Sequence, residues 1–165
     1  MTASHSPAPH PIFILVDADA CPVKDEVYRV AARYRAEVRV VSNAPFRIPQ
    51  DPHVQRVVVN DSFDAADDWI AEEAARVSPR CVVVTADILL ADRCLKAGAK
   101  VLAHNGKPFD QAGIGAAIAT RAIMADLRAG MDGVTGGPPP FAKADRSNFL
   151  QVLDRVMVML ARNAR

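Results

Sequence analysis

The chain has 165 residues, half of them hydrophobic and 24% charged, with a net charge of +1. This is one globular domain's worth of sequence, long enough to bury a core without staples, and it carries no global basic field of the kind that announces a nucleic-acid binder. Three cysteines, Cys21, Cys81 and Cys94, are an odd number at spacings that fit no zinc pattern, so reduced thiols in a cytoplasmic protein are the plain reading. No apolar run approaches the roughly 20 residues that span a bilayer.

Residues 1–11 are polar, contain proline and histidine, and lack a signal peptide's basic and apolar regions, so a disordered tail is expected. One domain is expected over residues 12–165. Ile12–Val16 is a short apolar run ending in Asp17 and reads as the first strand. From Pro22 to Ala36, Val23, Val27, Val30, Ala31 and Tyr34 fall on one helical face. Pro22 suits the first turn, and Asp25 and Glu26 suit its positive dipole. Val38–Val41 is a second strand, and the prolines at 45, 49 and 52 make the following segment a loop.

Val54–Asn60 reads as a third strand and Asp64–Val77 as a helix, with Ala65, Trp69, Ile70 and Ala74 inward. Cys81–Thr85 is a continuous β-branched run of the sort buried on both faces. Ile88–Ala97 is a helix stopped by Gly98, Ala99–Ala103 a fifth strand, and Asn105-Gly106 a turn. Ile114–Leu127 reads as a long helix and Ser147–Arg162 as the last. Between them Gly136-Gly137-Pro138-Pro139-Pro140 is expected to be a stiff strap rather than a phosphate-cradling loop, because prolines offer no amide donors. Alternation of strands and helices implies a parallel sheet with helices on both faces. The two final helices, with no strand between them, are expected on the outside of the sandwich.

Ligands of open parallel sheets bind beyond the strands' carboxyl ends, at the switch point in strand order. Strand one ends in Asp17-Ala18-Asp19 and strand four in Thr85-Ala86-Asp87, so Asp17 and Asp87 converge if the two are neighbours. Asp64, Asp67 and Asp68 share a face at the start of the second helix, which can look into the same crevice. Converging carboxylates repel and raise one another's pKa unless a cation is present. Hard divalent cations such as Mg²⁺ or Mn²⁺ prefer oxygen donors and activate water at a phosphoryl group. Asp19, Asp61 and Asp64 equally suit helix caps, and Asp67 and Asp68 suit solvated surface. Asp17 and Asp87 are different, since each follows a strongly apolar strand where a lone carboxylate is unwelcome.

Four ordered motifs carry a family resemblance over nearly the whole chain. Asp17-Ala18-Asp19-Ala20-Cys21-Pro22-Val23-Lys24 resembles the opening motif of the bacterial YaiI/YqxD family. Phe63-Asp64-Ala65-Ala66-Asp67-Asp68-Trp69-Ile70 resembles its second, and Val84-Thr85-Ala86-Asp87-Ile88-Leu89-Leu90-Ala91 its third. Gly136-Gly137-Pro138-Pro139-Pro140-Phe141 with Asp145-Arg146 and Phe149 resembles its C-terminal signature. That family is grouped by similarity with PIN-like domains, whose better-known members are metal-dependent ribonucleases. The resemblance implies a three-layer α/β sandwich with a mainly parallel five-stranded sheet of order 3-2-1-4-5. It implies a metal site at Asp17, Asp64 or Asp67, and Asp87, with Asp19 and Asp92 as further candidates. Many PIN domains carry another acid two residues after the one matching Asp87, where this chain has Leu89.

Among the basic residues, Lys24, Arg121 and Arg146 are candidate phosphate contacts, and solvated charge or, for Arg146, pairing with a carboxylate is the alternative. Cys21 reads as packing, since no histidine is placed beside it as a base. His104 and Asn43 lie at the same strand ends. A metal-dependent nuclease acting on RNA is the leading expectation. A non-catalytic metal- or nucleic-acid-binding module is the second. A haloacid-dehalogenase-type phosphatase shares the Asp-x-Asp of Asp17 and Asp19, but its Ser/Thr, Lys and acidic pair follow in an order this chain does not have.

Overall fold

A computed structural model describes residues 10–130 and 140–163. The Gly-Gly-Pro-Pro stretch at 136–139 and nearly all of the expected tail lie outside the described residues. The elements run β1 (Phe13–Asp17), α1 (Lys24–Tyr34), β2 (Glu37–Ser42), β3 (Val54–Val58), α2 (Ala65–Val77), β4 (Cys81–Val84), α3 (Ile88–Lys96), β5 (Lys100–Leu102), β6 (Pro108–Phe109), α4 (Gln111–Gly130) and α5 (Lys143–Arg162).

The sheet order is β3-β2-β1-β4-β5-β6, parallel throughout except for β6, which pairs antiparallel with β5. The expected order holds across five strands, and a sixth is added. β1 lies at the centre, hydrogen-bonded to β2 on one side and β4 on the other. The chain builds outward through β2 and β3 and then returns to β4, so the switch point falls between β1 and β4.

Side-chain alternation divides the core into two halves. Ile14, Val16, Val38, Val40, Val82 and Val84 face α1 and α5. Leu15, Val41, Val83 and Val101 face the layer of α2, α3 and α4. Both faces of β1 and β4 are therefore dry, which is why these strands read as unbroken apolar runs. The two final helices pack on opposite faces of the sheet. α5 fills one layer beside α1, with Phe149, Leu153 and Met157 fully buried at helical spacing, each worth about 1.5–3 kcal/mol. α4 begins the other layer, where Ile114 is buried against α3's side of the sheet.

The β5–β6 connection is a tight turn made for its contact with α5. Gly106 adopts φ 86°, and a Cβ there would lie 2.9 Å from the backbone of Phe149. Only glycine satisfies both the left-handed backbone and this close approach. Asn148 Nδ2 donates to the Asn105 carbonyl at 2.7 Å, tying α5 to the turn.

Candidate active site

The carboxyl ends of the parallel strands open into a cleft of about 470 Å³. Asp17 and Asp19 line it from the end of β1, Asp87 from the end of β4, and Asp67 from the first turn of α2. Arg121 reaches it from α4, and Ser42, Asn43, Ser62 and Phe63 complete the rim. Of the residues singled out from the sequence, Asp17, Asp19, Asp67, Asp87 and Arg121 thus share one cleft.

Thr85 connects the two strand ends. It is fully buried; its Oγ1 donates to Asp17 Oδ2 at 2.9 Å and accepts the Asp87 amide at 3.0 Å. One hydroxyl therefore sets the orientation of one carboxylate and the backbone carrying the other. The only sequence signal is a polar residue closing an apolar strand, and it does not distinguish a hub from a strand terminus.

Asp87 has two duties. It stands at the N-cap of α3, where Oδ1 accepts the amides of Leu89 at 2.9 Å and Leu90 at 3.3 Å. Oδ2 takes no part in the cap. In cation-free buffer Asp87→Asn, itself a good cap, is expected to be at least as stable as the parent, because it removes a charge that opposes ionisation of Asp17 and Asp67. Asp87→Ala relieves the same repulsion but loses the cap, and is expected to be about 1 kcal/mol less stable than Asp87→Asn. Denaturant titration of both variants checks this, and equal stabilities of the two would contradict it.

The carboxylates crowd one another. Burial raises the Asp17 pKa, partly countered by the Thr85 hydroxyl, and the charges of Asp87 and Asp19 raise it further. Burial pushes Asp67 up to about 6, helped by the charges of Asp87, Asp17 and Asp64 and opposed by Arg93. Asp67 thus binds its proton more tightly folded than unfolded. The cost of ionising it is absent below about pH 4, builds up through about pH 6, and is constant above. In cation-free buffer Asp67→Asn is therefore expected to be more stable than the parent by about 1 kcal/mol at pH 7, after allowance for solvent screening, and no more stable at pH 4. Denaturant midpoints at the two pH values measure the difference, and a parent no less stable than the variant at pH 7 would refute the crowding.

The remaining candidates are placed elsewhere. Asp64 precedes α2 without capping it and does not line the cleft, although its charge reaches Asp67. Asp68 pairs with Arg93 at 2.9 Å and Asp92 with Lys96 at 2.9 Å. Lys24 stacks over the Phe46 ring at 5.1 Å. Arg146 pairs with the buried Glu26 at 2.9 Å, donates to the Pro22 carbonyl at 2.7 Å and stacks over Phe141. It fastens α5 to α1, which is the carboxylate pairing open to it from the sequence. Neither Lys24 nor Arg146 lines the cleft. Cys21 is buried, and burial pushes its thiol up, against the lowered pKa that a nucleophile needs. His104 does not line the cleft either.

The donor set is all oxygen and suits a hard cation. Among the described residues, no three His, Cys, Asp or Glu side chains stand close enough together to form a metal-holding group. A cation in this geometry would take fewer than three protein carboxylates and complete its shell with water, which is the usual habit of Mg²⁺.

Fold and cleft together define an α/β protein with acidic side chains gathered at the switch point of a mainly parallel sheet. The chain belongs to the YaiI/YqxD family: the family model, described as "Uncharacterized BCR, YaiI/YqxD family", matches residues 15–159. It is similar to a UPF0178 protein of Sphingopyxis alaskensis, 68% identical over 149 residues that cover 90% of this chain and 95% of that one. A UPF0178 protein of Azorhizobium caulinodans is 57% identical over 157 residues, covering 95% and 96% of the two chains. One from Rhodopseudomonas palustris strain BisB5 is 54% identical over 154 residues, covering 93% and 92%. No solved structure matches the chain.

Proposed function

We propose that the protein is a metal-dependent phosphodiesterase acting on RNA. The observation that carries the reading is the meeting of Asp17, Asp67 and Asp87 in one strand-end cleft, with Asp17 and Asp67 both held above the ordinary carboxylate range. Such mutual repulsion is relieved by a divalent cation. Asp17 and Asp87 would hold Mg²⁺ or Mn²⁺, with Asp19 at the rim. A cation so held supplies an activated water and neutralises charge on the phosphoryl oxygens. Asp67 would orient the attacking water and take up its proton as the new oxygen–phosphorus bond forms and the bond to the leaving oxygen breaks. Arg121 binds a phosphate oxygen. RNA, rather than another phosphodiester, is the substrate to which the resemblance to PIN-like ribonucleases points.

The three described cysteines are free and buried, and a reducing cytoplasm suits them. No described helix is long and apolar enough to cross a membrane.

A second reading, a non-catalytic module that binds metal or nucleic acid, is favoured by Leu89. It is 45% exposed at the position where many PIN domains carry a further acid. One assay separates the two. Single-stranded RNA incubated with the protein and Mn²⁺ or Mg²⁺ is expected to be cut, and chelation is expected to stop the cutting. RNA left intact with either cation would leave the module as the better account.

A further inference from the structure

We propose that Phe63 is a stacking platform for an unpaired nucleobase beside the scissile phosphate. The proposal rests on the phosphodiesterase reading of the cleft and adds to it a subsite that the carboxylates do not provide.

Phe63 is 98% exposed, the most exposed of the large hydrophobic residues described. A single exposed apolar residue is unremarkable on an ordinary surface. This one stands in the wall of the acidic cleft. Its loop does not need it. Asn60 Oδ1 accepts the Ser62 amide at 3.0 Å and the Ser62 hydroxyl at 2.5 Å. The Ser62 carbonyl accepts the Ala65 amide at 3.2 Å. The turn is thus closed by its own hydrogen bonds on both sides of the ring, which holds the residue at the rim while the side chain contributes almost nothing to the core.

The chemistry of the cleft selects the occupant. Arg121, contributed by α4, offers a cation to a phosphate on the same cleft whose carboxylates are assigned to the cation. A phosphate beside an open aromatic face is the pairing that a nucleotide presents. Aromatic side chains hold unpaired bases in this way with little regard to sequence, because every base has a π-face. In a duplex those faces are covered by neighbouring bases, so the ring adds binding only for a base that is out of the stack.

The test measures binding by fluorescence anisotropy without divalent cation, so that nothing is cut. The ligands are a labelled single-stranded RNA 12-mer and a fully abasic strand of the same length. Phe63→Ala is expected to weaken the intact strand by about 10- to 100-fold, the range of one lost base stack. Phe63→Tyr is expected to bind as the parent does, and the abasic strand to bind the parent and Phe63→Ala alike. Thermal unfolding of Phe63→Ala is expected to match the parent. Equal affinity of the parent and Phe63→Ala for the intact strand would overturn the stacking role. If the parent then still cuts RNA with Mn²⁺, only this proposal falls. If the parent neither binds the strand nor cuts it with either cation, the phosphodiesterase reading falls and takes the proposal with it.

Discussion

Asp17→Asn is expected to lower Mn²⁺-dependent RNA cleavage by about 100- to 1,000-fold, the usual scale for removing one group that stabilises charge at the reacting centre. The same substitution is expected to raise thermal stability in cation-free buffer. Asp17 sits at the end of the central strand, where burial and the charges of Asp87 and Asp19 oppose its ionisation. Asparagine keeps an oxygen to accept the Thr85 hydroxyl, so the hydrogen bond survives while the repulsion goes. Loss of activity together with a higher unfolding temperature is the mark of a carboxylate kept for function at a cost in stability. A variant that is less stable and inactive would instead mark Asp17 as structural. Unfolding scans beside single-turnover cleavage distinguish the two.

Thr85→Val is expected to cost about 3 kcal/mol of stability and to lower cleavage by about tenfold or more. The substitution keeps the shape and removes the hydroxyl. Asp17 then loses its donor, and the Asp87 amide loses its acceptor beside a fully buried site. A hydrogen bond to a carboxylate is among the more expensive losses, and a half-buried amide left without its acceptor adds to it. The effect on activity follows because the two carboxylates are held in register through this one oxygen. Thr85→Ser, which keeps the hydroxyl, is expected to retain most of the activity. Denaturant midpoints and cleavage rates of the pair test the claim. A valine variant as active as the serine variant would remove Thr85 from the positioning role.

Much of this was legible in the sequence because burial on both faces leaves an unmistakable pattern. β1 and β4 appear as unbroken apolar runs, and their terminal aspartates stand out against them. The strand order then brings Asp17 and Asp87 to one cleft. β6 was not legible, since it has two residues and begins with proline, which is tolerated at a sheet edge. α5 begins four residues earlier than its apolar spacing suggests, because the Asp145 carboxylate reaches back to the Ala142 amide at 2.9 Å.

The choice between Asp64 and Asp67 was also beyond the sequence. Three residues apart, they share a helical face by spacing, yet Asp64 precedes the helix and only Asp67 lines the cleft. The basic residues divide for a different reason. The side chain of Glu26 is nearly buried between α1 and α5 and takes Arg146 as its partner, a pairing set by tertiary packing 120 residues away in the chain. Arg121 has no such claim on it among the described residues and lines the cleft.

The most direct test of the account is calorimetric titration of Mn²⁺ into the parent, Asp17→Asn and Asp87→Asn at pH 7.5. The account predicts binding to the parent at about micromolar to millimolar strength, on the scale of oxygen-ligated divalent sites, and no binding to either variant. Both variants should remain folded, since each asparagine keeps the local hydrogen bonds. A parent that takes up no cation, or variants that bind as the parent does, would contradict the central claim that the strand-end carboxylates form a metal site.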